Sequence, residues 1–150
     1  MNESLLNRNR NINRGFRKLE VWKEAIDFYA FVCEKLEALP QIPFKTKGQI
    51  DASAFSVHSN IAEGYARRSL KDHINFNNYS LGSLGENYSQ IIALWKSGRL
   101  EEEWVDKFDK KHYSLENKLI AYNRTLVKKL NEKASWNDDY ILREDKKPYE

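Results

Sequence analysis

The stretch that decides the fold is residues 19–36, LEVWKEAIDFYAFVCEKL. Apolar side chains recur along it at alternating steps of three and four residues, which is the period of an α-helix with one buried face. The row consists of Leu19, Trp22, Ile26, Tyr29, Cys33 and Leu36. The spacing predicts a helix over about residues 17–39, which Pro40 and Pro43 bring to an end.

A second apolar row lies beside the first on this predicted helix and contains Val21, Ala25, Phe28 and Val32. Two rows give a wider apolar face than one neighbouring helix needs. We therefore expect the helix to be buried on two sides, by the core of its own chain and by another subunit. Val21, Phe28 and Val32 are the residues predicted to form that oligomer face.

Three further stretches show the helical period. A second helix is predicted over residues 47–66, and Ser69 is predicted to cap a third helix that Gly98 ends. Three consecutive glutamates, residues 101–103, open a fourth helix that continues to about residue 133. Four helices with short connections favour an all-α fold, an antiparallel up-down-up-down four-helix bundle.

Composition bounds the class of protein. A chain of 150 residues with 41% hydrophobic and 31% charged residues suits one water-soluble domain with a modest core. The single cysteine, Cys33, excludes an internal disulfide and indicates a reducing compartment. No apolar run approaches the roughly 18 residues of a membrane span. We therefore expect a cytoplasmic protein that does not enter a membrane.

Charge divides the chain into three parts. Five cations and one carboxylate give residues 1–18 a net charge of +4, whereas five carboxylates and three cations give residues 134–150 a net charge of −2. We predict a flexible basic arm over residues 1–15, the bundle over residues 16–133 and an acidic tail over residues 134–150. Arg14 and Arg17, near the junction of arm and bundle, are candidates to bind a nucleic-acid backbone, and the alternative is a solvated terminus.

A second basic cluster lies between the second and third predicted helices. Arg67, Arg68 and Lys71 follow Tyr65 closely in the sequence. Cations beside an aromatic side chain can hold a phosphate backbone and stack a base. A solvated helix-turn face is the alternative reading of these three residues.

Polar residues and glycines interrupt the apolar pattern of the second and third predicted helices. Ser59, Asn60, Glu63 and Glu86 predict a structural polar network between these helices, and the alternative is a ligand or partner site. Glycine lets two helix backbones approach closely, although it lowers helix propensity. The positions predicted to lie at close helix crossings are Gly64, Gly82 and Gly85.

The sequence predicts no catalytic machinery, no cofactor and no metal. A di-metal site in a helical bundle needs Glu-x-x-His motifs, and the sequence contains none. His58, His73 and His112 fall on three different predicted helices, and Cys33 lies on an apolar stripe as an inert core residue. Phosphate-binding glycine loops and nucleophile elbows are also missing from the sequence.

Several motifs together resemble one protein family. They are FRKLEVW at residues 16–22, Gln49-Ile50, SNIAEGY at 59–65, Arg67-Arg68-Ser69, and LGSL at 81–84 followed by Glu86. The pattern closely resembles the four-helix bundle family whose first members were found encoded in intervening sequences of bacterial 23S ribosomal RNA genes. The resemblance covers about residues 16–124.

The resemblance implies a short up-down bundle that assembles into a homopentameric ring without enzyme activity. The family is similar in fold to the accessory protein of diversity-generating retroelements, a basic pentamer that binds nucleic acid and a reverse transcriptase. This chain departs from the family pattern at five positions. Asp51 and Ala52 replace a usual basic pair, which weakens a general RNA-binding role. His58 replaces a usual Pro, His73 a usual Phe and Asn77 a usual apolar residue.

Two functions follow as expectations. The first is a non-enzymatic, homo-oligomeric scaffold, a pentamer by the resemblance, that binds RNA, DNA or a nucleic-acid-processing protein. The second is a protein-protein adaptor whose charged faces are only solvated.

Overall fold

The computed structural model describes residues 3–132. The described chain forms α1 (Glu3–Leu6), a 3-10 helix (Ile12–Lys18), α2 (Glu20–Glu37), α3 (Phe44–Ala66), α4 (Leu70–Lys96) and α5 (Glu102–Asn131). The long helices α2 to α5 pack antiparallel as a bundle, which confirms the predicted fold class. The predicted acidic tail lies outside the described residues. Among the described helices, none is both long and apolar enough to cross a membrane.

The ends of α4 lie where its predicted capping residues place them. The Ser69 hydroxyl accepts a hydrogen bond from the Asp72 amide at 3.3 Å, and Gly98, with φ of +79°, follows the end of α4. The helix predicted to begin near residue 17 begins at Glu20 instead, because the preceding residues form the 3-10 helix. The side chain of Asn11 caps that 3-10 helix by accepting from the Arg14 amide at 3.0 Å.

One end of the bundle, which we call the apolar end, contains the α2–α3 and α4–α5 connections. Aromatic rings fill its interior: the centroids of Phe28 and Phe108 lie 5.8 Å apart, and Phe31 stacks on Trp104 at 5.1 Å with 3° between the ring planes. Aliphatic side chains complete it, namely buried Leu36, Leu39, Ile42, Leu94, Leu100 and Val105.

The opposite end, which we call the polar end, contains the 3-10 helix, the α3–α4 turn and the last turns of α5. Asn77 donates a hydrogen bond to the Oδ1 atom of buried Asn123 at 3.1 Å, and Asn123 donates to the Ile74 carbonyl at 3.4 Å. The Nε2 atom of buried His73 lies 2.9 Å from the Tyr122 hydroxyl. His73 and Asn77, two departures from the family pattern, thus each have a polar partner on α5.

The predicted polar network has different members from those expected. Ser59 and Asn60 bond to carbonyls of α3, and Glu63 pairs with Arg67 just beyond that helix. Glu86 accepts from Gln90 of its own helix, so none of these four residues bonds directly from one helix to the other. Bonds between the two helices come instead from a set that we call the polar seam: Ser53, Ser56, Ser80, Ser83, Asn87 and Gln90.

The three predicted packing glycines differ in their surroundings. A Cβ atom on Gly64 would lie 2.6 Å from the Cβ of Phe76 and 3.2 Å from the Cα of His73, so α3 and α4 approach closely there. A Cβ atom on Gly82 or Gly85 would meet nothing within 4 Å. Both residues are exposed, and the prediction that they lie at a close helix crossing within the chain was wrong.

The predicted oligomer face was also wrong. Val21, Phe28 and Val32 lie in the core of the single chain, with 5%, 2% and 0% of their surface exposed. The wide apolar face of α2 is explained within the chain, because this helix packs against both α3 and α5 and also against the 3-10 helix. Any contact with another subunit must use different residues.

Candidate nucleic-acid interface

The basic arm is held against the polar end by two adjacent residues of the 3-10 helix. A Cβ atom on Gly15 would overlap the hydroxyl oxygen of the buried Tyr65 side chain, so a larger residue at this position would push the arm and the Tyr65 ring apart. The ring of Phe16 packs edge-on against Trp22 at 5.3 Å and against Tyr65 at 6.5 Å. Tyr65 lies two residues before Arg67, so the arm docks beside the basic α3–α4 turn.

Arginine side chains of the arm fold back onto its own backbone. Arg17 Nη2 donates to the Arg8 carbonyl at 2.9 Å, and Arg14 Nη1 donates to the Asn9 carbonyl at 3.3 Å. Arg10 Nε donates to the Asn7 carbonyl at 3.1 Å. Asn9 has φ of +51°, in the left-handed region, which turns the chain between these contacts. The arm therefore has a defined loop held by guanidinium groups.

The positive charges of several arginines lie close together in this segment. Partial burial lowers the pKa of the Arg17 guanidinium, and the neighbouring charges of Arg14 and Arg10 lower it further. Among the ion pairs of residues 4–132, none joins a carboxylate to Arg8, Arg10, Arg14 or Arg17. An anion from outside the described chain would relieve this repulsion.

The α3–α4 turn contributes cations with different surroundings. Arg67 pairs with Glu63 at 3.2 Å and lies 5.2 Å from the centroid of the Phe76 ring, so part of its charge is already neutralised. Arg68 has φ of +59° at the residue where α3 gives way to the turn. Lys71 lies exposed in the first turn of α4. The turn thus has a structural role as well as a positive charge.

Four of the five predicted nucleic-acid-binding residues belong to two segments that meet at Tyr65. Arg14 and Arg17 lie in the 3-10 helix, and Arg67 and Arg68 lie just beyond α3. Sequence reasoning counted Arg8 and Arg10 in the charge of the arm but did not propose them as binding residues. The capping residue Asn11 was the available signal, because a cap predicts a folded segment rather than a loose terminus.

The histidines lie in separate surroundings. Burial lowers the pKa of His73 to about 4, so its imidazole is neutral at pH 7. His112 Nε2 lies 2.7 Å from the Leu84 carbonyl, and half-buried His58 packs on the ring of Phe55 at 4.6 Å. Across residues 4–132, no group of three or more His, Cys, Asp or Glu side chains is arranged to hold a metal ion.

Asp51, at a position where the family resemblance implies a basic residue, has a hydrogen-bond partner on α2. Its carboxylate accepts a hydrogen bond from the Tyr29 hydroxyl at 2.7 Å. This bond, with burial and the carboxylate charge, raises the pKa of Tyr29. Asp51 thus connects α3 to α2 through this hydrogen bond.

The comparisons with known proteins agree with the fold. The model of a family described as 23S rRNA-intervening sequence protein matches residues 17–121. A crystal structure of a protein with unknown function from the S23 ribosomal protein family of Bacteroides thetaiotaomicron is similar to this chain, with a TM-score of 0.65 and 22% sequence identity. The similarity covers 69% of this chain and 97% of that one. Among curated proteins, none matches the chain.

Proposed function

The chain belongs to the 23S rRNA-intervening sequence protein family, and from this premise we propose that it is a non-enzymatic scaffold that assembles with copies of itself and binds nucleic acid or a nucleoprotein partner. The observation that carries the proposal is the docking of Gly15 and Phe16 on Tyr65, which joins two basic segments at one end of the bundle. Several such ends in one oligomer bind more tightly than one, because linked weak sites add by multivalency.

Binding is tested with labelled fragments of 23S ribosomal RNA and a gel shift at rising salt concentration. We expect binding at low salt that weakens steeply as salt rises, because phosphate contacts release counterions. The variant Arg67→Glu/Arg68→Glu should bind much more weakly. Its matched control is Lys107→Glu/Lys110→Glu, an equal charge change on exposed residues near the start of α5. RNA that does not bind at low salt, or binding that the Arg67 and Arg68 reversal leaves intact, contradicts the proposal.

Self-assembly needs an exposed surface, and α3 and α4 offer apolar and small residues on their outer sides. Phe55 and Tyr79 expose 49% and 58% of their surfaces, and the open positions of Gly82 and Gly85 leave room for a neighbour's side chains. Exposed aromatic side chains and residues that allow close approach are typical of subunit contacts. We propose that these residues, rather than Val21, Phe28 and Val32, contact other subunits, in a pentamer as the family resemblance implies.

Particle mass measured by light scattering after size-exclusion chromatography tests this surface. We expect an oligomer for the wild type and smaller particles for Phe55→Ser/Gly82→Leu. Tyr113→Ser is the matched control, since Tyr113 exposes 64% of its surface on α5 and should not affect assembly. A monomeric wild type, or an oligomer unaffected by Phe55→Ser/Gly82→Leu, contradicts the assembly proposal.

A second candidate function, a protein-protein adaptor without nucleic-acid binding, is favoured by one observation. An open groove of about 330 Å³ lies between α4 and α5, with Ile74, Leu81, Ile120 and Val127 among its lining residues. Apolar side chains of a protein partner would fit such a groove. A pull-down with and without nuclease separates the two functions: an adaptor retains its protein partner after nuclease treatment and recovers no RNA.

A further inference from the structure

The arginines of the arm keep most of their hydrogen-bonding capacity for an external group. A guanidinium group has five N–H donors. Arg10, Arg14 and Arg17 each donate one hydrogen bond to a backbone carbonyl of the arm, and these bonds fix the side chains without neutralising their charges. Arg8, Arg10 and Arg14 are exposed, whereas Arg17 is partly buried. Their remaining donors are thus available to an anion at the surface.

Within the part of the chain whose side chains are described, the arginines of the loop, residues 8–17, have no carboxylate partner. Four arginines occur within ten residues, and no described carboxylate forms an ion pair with any of them. Like charges held together by a folded segment raise the energy of that segment, and an anion lowers it. Guanidinium groups bind phosphate oxygens through paired hydrogen bonds, which favours phosphate over other anions.

The place of the loop on the bundle is also fixed. The contact of Gly15 with Tyr65 and the packing of Phe16 on Trp22 anchor the 3-10 helix that carries Arg14 and Arg17. A docked arm has already lost its conformational freedom on folding, so binding does not have to order it again. This separates a folded site from a loose basic tail, which contributes charge but no geometry.

We propose that Arg8, Arg10, Arg14 and Arg17 form an arginine clasp, a preformed site for successive phosphate groups. The inference rests on the proposed function, since it assigns those phosphates to the backbone of a nucleic acid. It adds Arg8 and Arg10 to the binding residues and makes Gly15 a positioning residue. Free polyphosphate has the same chemistry, and the experiment distinguishes it.

The first experiment removes exposed positive charges from the proposed site. The anisotropy of a labelled single-stranded RNA oligonucleotide is measured against protein concentration at several salt concentrations, for the wild type and for Arg10→Ala/Arg14→Ala. Each lost phosphate contact reduces the salt slope by about 0.7 for a single strand, so we expect a reduction of roughly 1.4. Lys107→Ala/Lys110→Ala removes the same charge elsewhere and should leave the slope unchanged. Equal slopes for the two double variants overturn the clasp.

The second experiment displaces the arginine loop from the bundle without changing its charge. Gly15→Val places a side chain where Tyr65 leaves no room, so the arm must leave its docked position. We expect weaker RNA binding, comparable to that of Arg10→Ala/Arg14→Ala, in a protein whose circular dichroism still shows the bundle. Gly48→Val, at an exposed position of α3 outside the proposed subunit contact, is the matched control for adding a branched side chain. Unchanged binding by Gly15→Val shows that the arm acts as loose charge and overturns the preformed site.

The outcomes separate the clasp from the function on which it rests. If the wild type binds no RNA, the proposed function fails and the clasp fails with it. If Arg67→Glu/Arg68→Glu abolishes binding while Arg10→Ala/Arg14→Ala behaves as its lysine control, the clasp alone fails. Tripolyphosphate is added as a competitor of bound RNA. Tripolyphosphate that binds a wild type unable to bind RNA assigns the arginines to free polyphosphate and overturns the nucleic-acid assignment.

Discussion

The two ends of the bundle are stabilised in different ways. At the apolar end, stacked aromatic rings and aliphatic side chains fill the space between α2 and α5, and packing supplies the stability. At the polar end, His73, Asn77 and Asn123 are buried, and each needs its partner to offset the loss of water. The basic arm docks on the polar end. The candidate binding surface thus lies at the end of the bundle where buried polar side chains depend on hydrogen-bond partners.

The largest expected effect is at the apolar end. Phe108 is fully buried and its ring contacts those of Phe28, Tyr88 and Trp104. Phe108→Ala should lower the free energy of unfolding by about 3–5 kcal/mol through lost burial and an unfilled cavity. Urea denaturation measures the change. The control is Phe44→Ala, at a position with 92% of its surface exposed, and a comparable loss there contradicts the assignment of Phe108 to the core.

A pH-dependent effect should follow at the polar end. The pKa of His73 falls to about 4 in the folded chain, below its ordinary value of 6.5, because the buried site favours the neutral imidazole. The unfolded chain therefore binds the proton more strongly, and folding stability from this group is complete above pH 6.5. It is lost as the pH falls toward 4, by about 3 kcal/mol in all.

Urea denaturation at pH 7, 6 and 5 tests this effect in the wild type and in His73→Gln. The variant should lose much of the pH dependence even if its stability at pH 7 is lower. Burial also lowers the pKa of His58, and His58→Gln measures that second contribution. The same pH dependence in the wild type and in His73→Gln rules out His73 as the cause.

The asparagine pair should show a smaller, non-additive effect. Asn77→Leu leaves the Oδ1 atom of Asn123 without its bond from Asn77, at a cost of about 1–3 kcal/mol. Replacing both residues in Asn77→Leu/Asn123→Leu removes the unsatisfied group and should recover most of that loss. A double-mutant cycle from unfolding free energies measures the coupling. Simple additivity shows that the two amides do not act as a pair.

The smallest changes in stability are expected for alanine substitutions at two glycines of α3. Gly64→Ala, at the polar end of α3, introduces a Cβ atom against Phe76 and should destabilise the chain by about 1–3 kcal/mol. Gly48→Ala, near the apolar end of the same helix, meets nothing within 4 Å and should stabilise it by up to about 1 kcal/mol. Thermal melts of both variants give the signs. Two changes of the same sign contradict the close approach of α3 and α4 at Gly64.

The helices could be predicted because their signals are local. The three-and-four spacing, the Ser69 cap and the Gly98 stop each act within a few residues of the chain, and the structure keeps all of them. The start of α2 was misplaced by three residues, because a 3-10 helix and an α-helix have similar short-range patterns. The capping residue Asn11 was the sequence signal that a separate 3-10 helix precedes α2, although Asn11 lies before the apolar row.

Contacts between helices were less predictable, since spacing along one helix does not show which neighbour it meets. The two apolar rows of α2 are consistent with a second subunit or with two helices of the same chain, and the structure has the latter. Serines of the polar seam were overlooked because serine is common on exposed surfaces as well. The docking of the arm depends on Gly15 meeting Tyr65, fifty residues away, and no local pattern contains that information.

The polar seam has a consequence for the order of folding. α3 and α4 are joined by residues 67–69, and the Ser80 hydroxyl donates to the Val57 carbonyl across only 23 positions of sequence. The contact of Ser114 with Glu24, between α5 and α2, spans 90 positions. Closing the shorter loop costs less entropy, so this helical hairpin should be formed in the transition state before α5 closes onto α2. In φ-value measurements, Ser80→Ala should then slow folding, whereas Phe108→Ala should mainly speed unfolding.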